Sequence, residues 1–96
     1  MSVLNNILLE EYQRIDRVID VISEEIDSLP KGYISKKTIG GKVYAYLQWR
    51  EAGRVKSFYI KKDLIVDYEA LIERRRSLEK QRRELVAEKK KLEKVI

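Results

Sequence analysis

The stretch that decides the fold is GYISKKTIGGKVYAYLQWREAGRVKSFYIKK, which runs from Gly32 to Lys62. It consists of three segments in which apolar and polar residues alternate, separated by Gly40-Gly41 and Ala52-Gly53. Such alternation is typical of β-strands, and a glycine pair supplies the positive φ angles of a two-residue hairpin loop. Ala suits a positive φ less well, so a four-residue loop over 51–54 is an alternative at the second turn. The stretch predicts a three-stranded antiparallel sheet.

The two turns predict which residues oppose each other and therefore which side chains share a face. Either length of the second loop places Tyr46 opposite Tyr59, and the first turn places Ser35 opposite Tyr46. A shift by one residue would exchange the faces of a strand. In this register the apolar face collects Ile34, Val43, Ala45, Leu47, Trp49, Phe58 and Ile60. The opposite face collects Tyr33, Ser35, Lys37, Tyr44, Tyr46, Gln48, Arg50, Ser57, Tyr59 and Lys61, with no carboxylate among them.

Helices are predicted on both sides of this stretch. Before it, apolar residues recur at alternating steps of four and three between Leu8 and Leu29, and Pro30 ends the pattern. After it, a leucine recurs every seven residues over 64–92, with Asp63 as the expected N-cap. Both patterns indicate long amphipathic helices.

We therefore predict an α+β fold in which residues 1–96 form one domain. Its parts are a helix over 1–29, a basic three-stranded antiparallel sheet over 30–62 and a helix over 63–96. An amphipathic helix is unstable alone in water, because its apolar stripe must be covered. We expect the long N- and C-terminal helices to pair as an antiparallel coiled coil flanking the sheet, with Arg75 and Arg82 reaching acidic residues of the first helix. A second copy of the chain is expected to cover what remains exposed, which predicts a homodimer.

Positive charge is concentrated in the middle of the chain. Residues 30–62 contain nine Lys or Arg and a single carboxylate, Glu51, whereas residues 1–29 have a net charge of −5. A basic segment of this kind favours a polyanionic partner, because Lys and Arg neutralise phosphates while tyrosines stack on bases. Tyrosines also stabilise sheets through cross-strand contacts, and lysines protect sheet edges, so a purely structural role is an alternative.

The composition argues against several kinds of site. The chain contains no Cys and no His, which removes disulfides, thiolate nucleophiles, the usual zinc ligands and imidazole catalysis. The Lys, Tyr and carboxylate residues form no pattern typical of an active site, so we predict no enzyme activity and no cofactor. No apolar run approaches the ~20 residues of a membrane-spanning helix, and no basic leader typical of a signal peptide begins the sequence. We therefore expect a cytoplasmic protein without a membrane partner.

The sheet segment and the helix after it resemble the Arm-type DNA-binding domains of tyrosine-recombinase integrases. The matching features are Gly32, the aromatic middle strand 44–49, the Gly53-Arg54 turn and the basic third strand. The stretch is also similar to small uncharacterised bacterial and archaeal proteins with the pattern YxYLxxREgGKvKSxYI, for which no activity is implied. The Arm-type resemblance implies a sheet that enters the major groove of DNA. The chain departs from that family in the heptad helix before the sheet and in having no recombinase catalytic domain.

These observations predict a non-catalytic nucleic-acid-binding protein, with DNA favoured. The main alternative is a coiled-coil protein-interaction module whose basic sheet grips an acidic protein surface or a nucleic-acid-handling enzyme, as a small phage or mobile-element inhibitor of the anti-CRISPR kind would. A third alternative is an architectural or toxin–antitoxin-associated dimer. The predicted nucleic-acid-binding residues are Tyr33, Lys36, Lys37, Lys42, Tyr44, Tyr46, Gln48, Arg50, Arg54, Lys56, Tyr59 and Lys61.

Overall fold

The computed structural model describes residues 3–96. Its elements are, in chain order, α1 (Val3–Ser28), β1 (Tyr33–Ile39), β2 (Lys42–Glu51), β3 (Arg54–Ile60), a 3₁₀ turn (Lys62–Leu64) and α2 (Ile65–Glu93). The strands form one antiparallel sheet in the order β1-β2-β3. The prediction of an α+β fold, with helices flanking a three-stranded antiparallel sheet, is confirmed. No helix within 3–96 is long and apolar enough to cross a membrane.

The chain forms two compact units, and α2 contributes residues to both of them. One unit is helical and consists of the described residues up to Ser28 together with Ser77–Ile96. The other unit, Leu29–Arg76, contains the whole sheet and the first part of α2. The side chains predicted to bind nucleic acid all belong to this second unit, which we call the sheet unit.

The strand register agrees with the one predicted from the turns. Tyr46 lies opposite Ser35 in β1 and opposite Tyr59 in β3. Glu51 pairs directly with Arg54, so the second loop contains two residues and the four-residue alternative is wrong. Because alternation is unbroken through both hairpins, the two faces of the sheet carry the residues that the register predicts.

The second hairpin loop strains its first residue. Ala52 has a φ of 51° and Gly53 a φ of 76°. A side chain in the left-handed region costs roughly 1–2 kcal/mol, whereas Asn before Gly is a favoured pair in such loops. We therefore expect Ala52→Asn to raise the free energy of unfolding by about 1 kcal/mol in urea denaturation. Gly53→Ala is the matched control and should lower it by a similar amount; an unchanged midpoint for Ala52→Asn would contradict the strained loop.

One face of the sheet packs on the first part of α2. The residues of α2 in this contact are Ile65, Tyr68 and Ile72. Their spacing of three and four places them on one side of the helix. The buried cluster consists of Ala45, Leu47 and Ile60 from the sheet and Ile72 from α2. The half-buried residues packed around it are Ile34, Trp49, Ile65 and Tyr68.

Two residues of the predicted apolar face remain largely exposed. The exposed fraction is 59% for Val43 and 50% for Phe58. Phe58 contacts Tyr68 of α2 at a ring-centroid distance of 6.2 Å, which covers one side of it. Val43 lies beyond the last β2–β3 pair, Ala45 with Ile60. A single helix covers the centre of the sheet and leaves its margins open, so Val43 and Phe58 lie on the predicted apolar face but are only partly covered.

The start of α2 also differs from the prediction. Asp63 lies inside the 3₁₀ turn, so it is not the N-cap, and α2 begins at Ile65. Leu71 of the seven-residue leucine row is exposed, while Ile72 takes the buried position against the sheet. The isoleucines beside the leucine row therefore form the contact with the strands.

In the helical unit, α1 and the last part of α2 run antiparallel. Hydrogen bonds join positions 12, 16 and 23 of α1 to positions 93, 89 and 82 of α2. Each step forward along α1 thus matches an equal step backward along α2, as expected for two antiparallel helices in a constant register. The buried side chains described in this unit are Ile15, Ile22, Ile26 and Leu78. The cross-helix hydrogen bonds run from Tyr12 Oη to Glu93 (3.1 Å), from Lys89 Nζ to Asp16 (2.6 Å) and from Arg82 to the Ser23 hydroxyl (3.2 Å).

The basic residues that interrupt the apolar row of α2 thus have polar partners. The hydrogen bond and the charge of Asp16 raise the pKa of Lys89 above its ordinary value. Arg82 reaches a hydroxyl group of the first helix. In the sheet unit, Arg75 donates a hydrogen bond to the carbonyl oxygen of Leu29 over 2.7 Å, which ties α2 to the chain segment that leads into β1.

Candidate nucleic-acid interface

The side of the sheet opposite the buried cluster is the candidate interface, and we call it the tyrosine face. Four tyrosines and, with Lys61 included, four cations lie on it, and no carboxylate does. Lys61 continues the alternation one residue past β3, where its backbone is extended (φ −60°, ψ 143°). The strand residues of this face are Tyr33, Ser35, Lys37, Ile39, Lys42, Tyr44, Tyr46, Gln48, Arg50, Val55, Ser57 and Tyr59.

Three tyrosines of this face form a cluster. The ring centroids of Tyr46 and Tyr59 lie 5.7 Å apart in an edge-to-face arrangement, and those of Tyr44 and Tyr59 lie 6.4 Å apart. The Nζ atom of Lys37 lies 5.5 Å from the centroid of the Tyr46 ring, within the range of a cation–π interaction. These contacts hold the rings on the sheet, while Tyr59 remains 49% exposed. The aromatic part of the face is therefore preorganised and still accessible.

The other end of the tyrosine face carries polar groups of a different kind. Tyr33 is 51% exposed and lies opposite Gln48, which is half-buried. Arg50 is exposed two residues further along β2. Together they present a hydroxyl, an amide and a guanidinium group, which are groups that bind phosphate oxygens and base edges in protein–DNA complexes.

Three of the predicted binding residues lie on the opposite side of the sheet. Lys36 pairs with Ala45, a member of the buried cluster, and its Nζ atom lies 3.3 Å from a carboxylate oxygen of Glu69 in α2. Alternation also turns Arg54 and Lys56 to the side that faces α2. The structure therefore separates Lys36, Arg54 and Lys56 from the tyrosine face. The predicted residues that it brings together are Tyr33, Lys37, Lys42, Tyr44, Tyr46, Gln48, Arg50, Tyr59 and Lys61.

A recess at one corner of the sheet was missed by the sequence analysis. Pairing between β1 and β2 extends to Lys42, but pairing between β2 and β3 ends at Ala45 with Ile60. Residues 42–44 therefore have no strand beside them on the β3 side. The sequence contains one signal for this recess, which is the short third strand. The residues that begin the next helix follow at 62–63, so the third strand is too short to pair with the first residues of β2. The recess is lined by Gly41, Lys42, Val43, Tyr44, Tyr59 and Lys62.

A second recess lies between the β1 edge and α2. Two of its lining residues, Glu69 and Glu73, are carboxylates, and Arg76 is its one cation. A polyanion is repelled by such a lining, so the corner recess fits a nucleic-acid ligand better. Within residues 3–96, His, Cys, Asp and Glu form no group of three or more that could hold a metal ion.

Comparison with protein families gives one match. A family model described as a domain of unknown function (DUF6788) matches residues 10–67. The matched region contains most of α1, the whole sheet and the first residues of α2. No curated protein and no solved structure matches the chain. Because the match covers more than half of the sequence, the chain belongs to the DUF6788 family.

Proposed function

We propose that the protein binds nucleic acid, with DNA favoured, through the tyrosine face and without catalysing a reaction. The observation that carries this proposal is the one-signed character of the face: it combines Lys, Arg and Tyr with no Asp or Glu. A surface selected for solubility alone mixes both signs of charge. A surface that lies against phosphates instead favours cations, because each neutralised phosphate releases counterions from the polyanion.

The groups on the face divide into two roles. Lys37, Lys42, Arg50 and Lys61 neutralise phosphates and position the ligand, as most protein–DNA contacts do. The tyrosines and Gln48 contact bases or sugars. Single-stranded and duplex DNA both offer a row of phosphates, so the cations suit either form, whereas the tyrosine rings suit bases whose flat faces are accessible.

The salt dependence of binding tests the proposal. The slope of log K against log salt is about −0.7 to −0.9 for each neutralised phosphate. If the four cations Lys37, Lys42, Arg50 and Lys61 each bind one phosphate, we expect a slope of about −2.8 to −3.6. Affinity should then fall roughly 50- to 150-fold between about 50 and about 200 mM salt. Fluorescence anisotropy with labelled duplex and single-stranded DNA measures this slope.

Two other results would contradict parts of the proposal. A slope of about −5 to −6 would mean that Lys36, Arg54 and Lys56 also bind phosphates, which one face of the sheet does not allow. No binding of either probe at low salt would contradict nucleic-acid binding itself and would favour the second candidate function.

A protein-interaction module is the second candidate, and uncovered apolar residues at the start of α1 favour it. Leu4 and Ile7 are 64% and 55% exposed. With Leu8 they continue the stripe that contains the buried Ile15 further along the helix. Exposed stripes of this kind are typical of helices that pair with another chain. In this function a second copy or another protein covers the stripe, and the basic sheet binds an acidic protein surface.

A further inference from the structure

We infer that the recess at the open corner of the sheet holds one unpaired nucleotide of a single-stranded nucleic acid. This inference rests on the proposed function and names the form of nucleic acid that the tyrosine face takes. It assigns a role to Lys62 and Val43, which lie outside the predicted site.

The register of the strands creates the recess. The β1–β2 hairpin is closed by the pair Ile39 and Lys42, which flanks a two-residue loop and exchanges both backbone hydrogen bonds. Because bonding alternates along a strand, the N–H and C=O groups of Val43 point towards the β3 side. β3 ends at Ile60, opposite Ala45, so these groups face the recess rather than another strand.

The lining of the recess combines the groups that a nucleotide needs. The rings of Tyr44 and Tyr59 form an aromatic wall, and the ammonium groups of Lys42 and Lys62 supply positive charge. No lining residue is acidic. The recess has a volume of about 580 Å³, which lies within the usual range for small-ligand sites. In this recess a base can stack on the tyrosine rings while its phosphate contacts the lysine ammonium groups.

The aromatic wall favours an unpaired base over a base in a duplex. In a duplex each base is stacked on its neighbours, so its flat face is covered and only its edges are offered in the grooves. An unpaired base presents its face, and tyrosine rings on a basic sheet stack on such bases in many single-strand-binding proteins. The corner recess is open at the edge of the sheet, where a flexible single strand can place one base while its phosphates continue along the cations of the tyrosine face.

The experiment compares a 12-nucleotide oligothymidine with a duplex of the same length, both labelled and measured by anisotropy at low salt. We expect the single strand to bind about tenfold or more tightly than the duplex. Tyr44→Ala and, separately, Lys62→Ala should weaken binding of the single strand. Tyr33→Ala is the matched comparison, since it removes an exposed tyrosine of the same face outside the recess. It should weaken binding of single strand and duplex by a similar factor, whereas Tyr44→Ala should lower the preference for the single strand. Lys62 is exposed, so its variant tests the recess without a change in packing.

An abasic oligonucleotide separates stacking from charge. It keeps every phosphate and loses the bases, so it should bind the wild type about tenfold or more weakly than oligothymidine. Tyr44→Ala should then have little further effect on it. Equal binding of duplex and single strand by the wild type, or equal effects of Tyr44→Ala and Tyr33→Ala on the preference for the single strand, would overturn the inference and leave the proposed function standing. Failure of both probes to bind would overturn the proposed function and the inference together.

Discussion

Gly32→Ala is expected to lower the free energy of unfolding by roughly 3 kcal/mol or more. Gly32 has a φ of 109°, a conformation that other residues rarely adopt. A Cβ atom at this position would also overlap the carbonyl oxygen of Gln48 and lie 3.0 Å from the Cβ atom of Trp49. The oxygen belongs to the backbone of the central strand, so it cannot yield without disturbing the pair of Gln48 with Tyr33.

Gly40→Ala is the matched control for this prediction. Gly40 also has a positive φ, 59°, but a Cβ atom there would meet nothing within 4 Å. Gly40→Ala should therefore lower the free energy of unfolding by only about 1 kcal/mol, which is the cost of a side chain in the left-handed backbone region. Thermal unfolding should show a fall in Tm of roughly 15 °C for Gly32→Ala and about a third of that for Gly40→Ala. Equal losses for the two variants would mean that the chain does not approach Gln48 closely at Gly32.

The double variant Tyr46→Ala with Arg50→Glu is expected to weaken nucleic-acid binding at least about 100-fold. Loss of one stacking ring costs roughly 1–3 kcal/mol of binding free energy, and the reversed charge replaces a phosphate contact with repulsion. Tyr46 contacts Tyr59 within the sheet, so the variant should lose about 1 kcal/mol of stability and remain folded. Anisotropy titration measures the affinity, and urea denaturation verifies the fold.

Lys56→Glu is the control that separates a binding face from general electrostatics. It makes the same change of charge as Arg50→Glu, on the same hairpin, but on the side of the sheet that faces α2. Screening by salt limits its effect on a ligand at the other face, so we expect a loss of less than about fivefold. If Lys56→Glu weakens binding as much as Arg50→Glu alone does, the ligand senses the net charge of the chain rather than the tyrosine face.

The sheet could be predicted from local sequence because its turns are local. Gly40-Gly41 predicts a two-residue loop, and both loop lengths considered at Ala52-Gly53 give the same register, so every pair follows from the turns by counting. The faces of the sheet then follow from alternation, which predicts the observed pairing of Tyr46 with Tyr59. Paired residues of adjacent strands lie no more than 15 positions apart in the sequence. The local sequence is therefore enough to predict the pairing.

Features that depend on distant contacts could not be predicted in this way. The close approach of Gly32 to Gln48 exists only once β1 and β2 pair. The exposure of Phe58 depends on how much of the sheet α2 covers, and the burial of Ile72 instead of Leu71 depends on which side of that helix meets the strands. A heptad pattern predicts a helix with an apolar stripe, but it does not state whether a helix or a sheet will cover that stripe.

The candidate site shows the same division. Alternation places Lys36, Arg54 and Lys56 on the side that faces α2, so the prediction that they bind nucleic acid rests on their charge alone. The proposed role of Lys62 could not be predicted from alternation, because it depends on the corner left open where β3 ends. The charge of a segment therefore predicts the class of ligand. To predict which cations face that ligand, the position of each cation in the strand register is also needed.

The most direct test of the central claim is a lysine footprint with and without bound DNA, in which acetylation of each lysine is measured by mass spectrometry. One sample therefore gives the extent of acetylation for lysines on both sides of the sheet. If the tyrosine face meets the ligand, DNA protects Lys37, Lys42 and Lys61 from acetylation and leaves Lys36 and Lys56 as reactive as in the free protein. Protection of Lys36 and Lys56 in place of Lys37 and Lys42 would contradict the account.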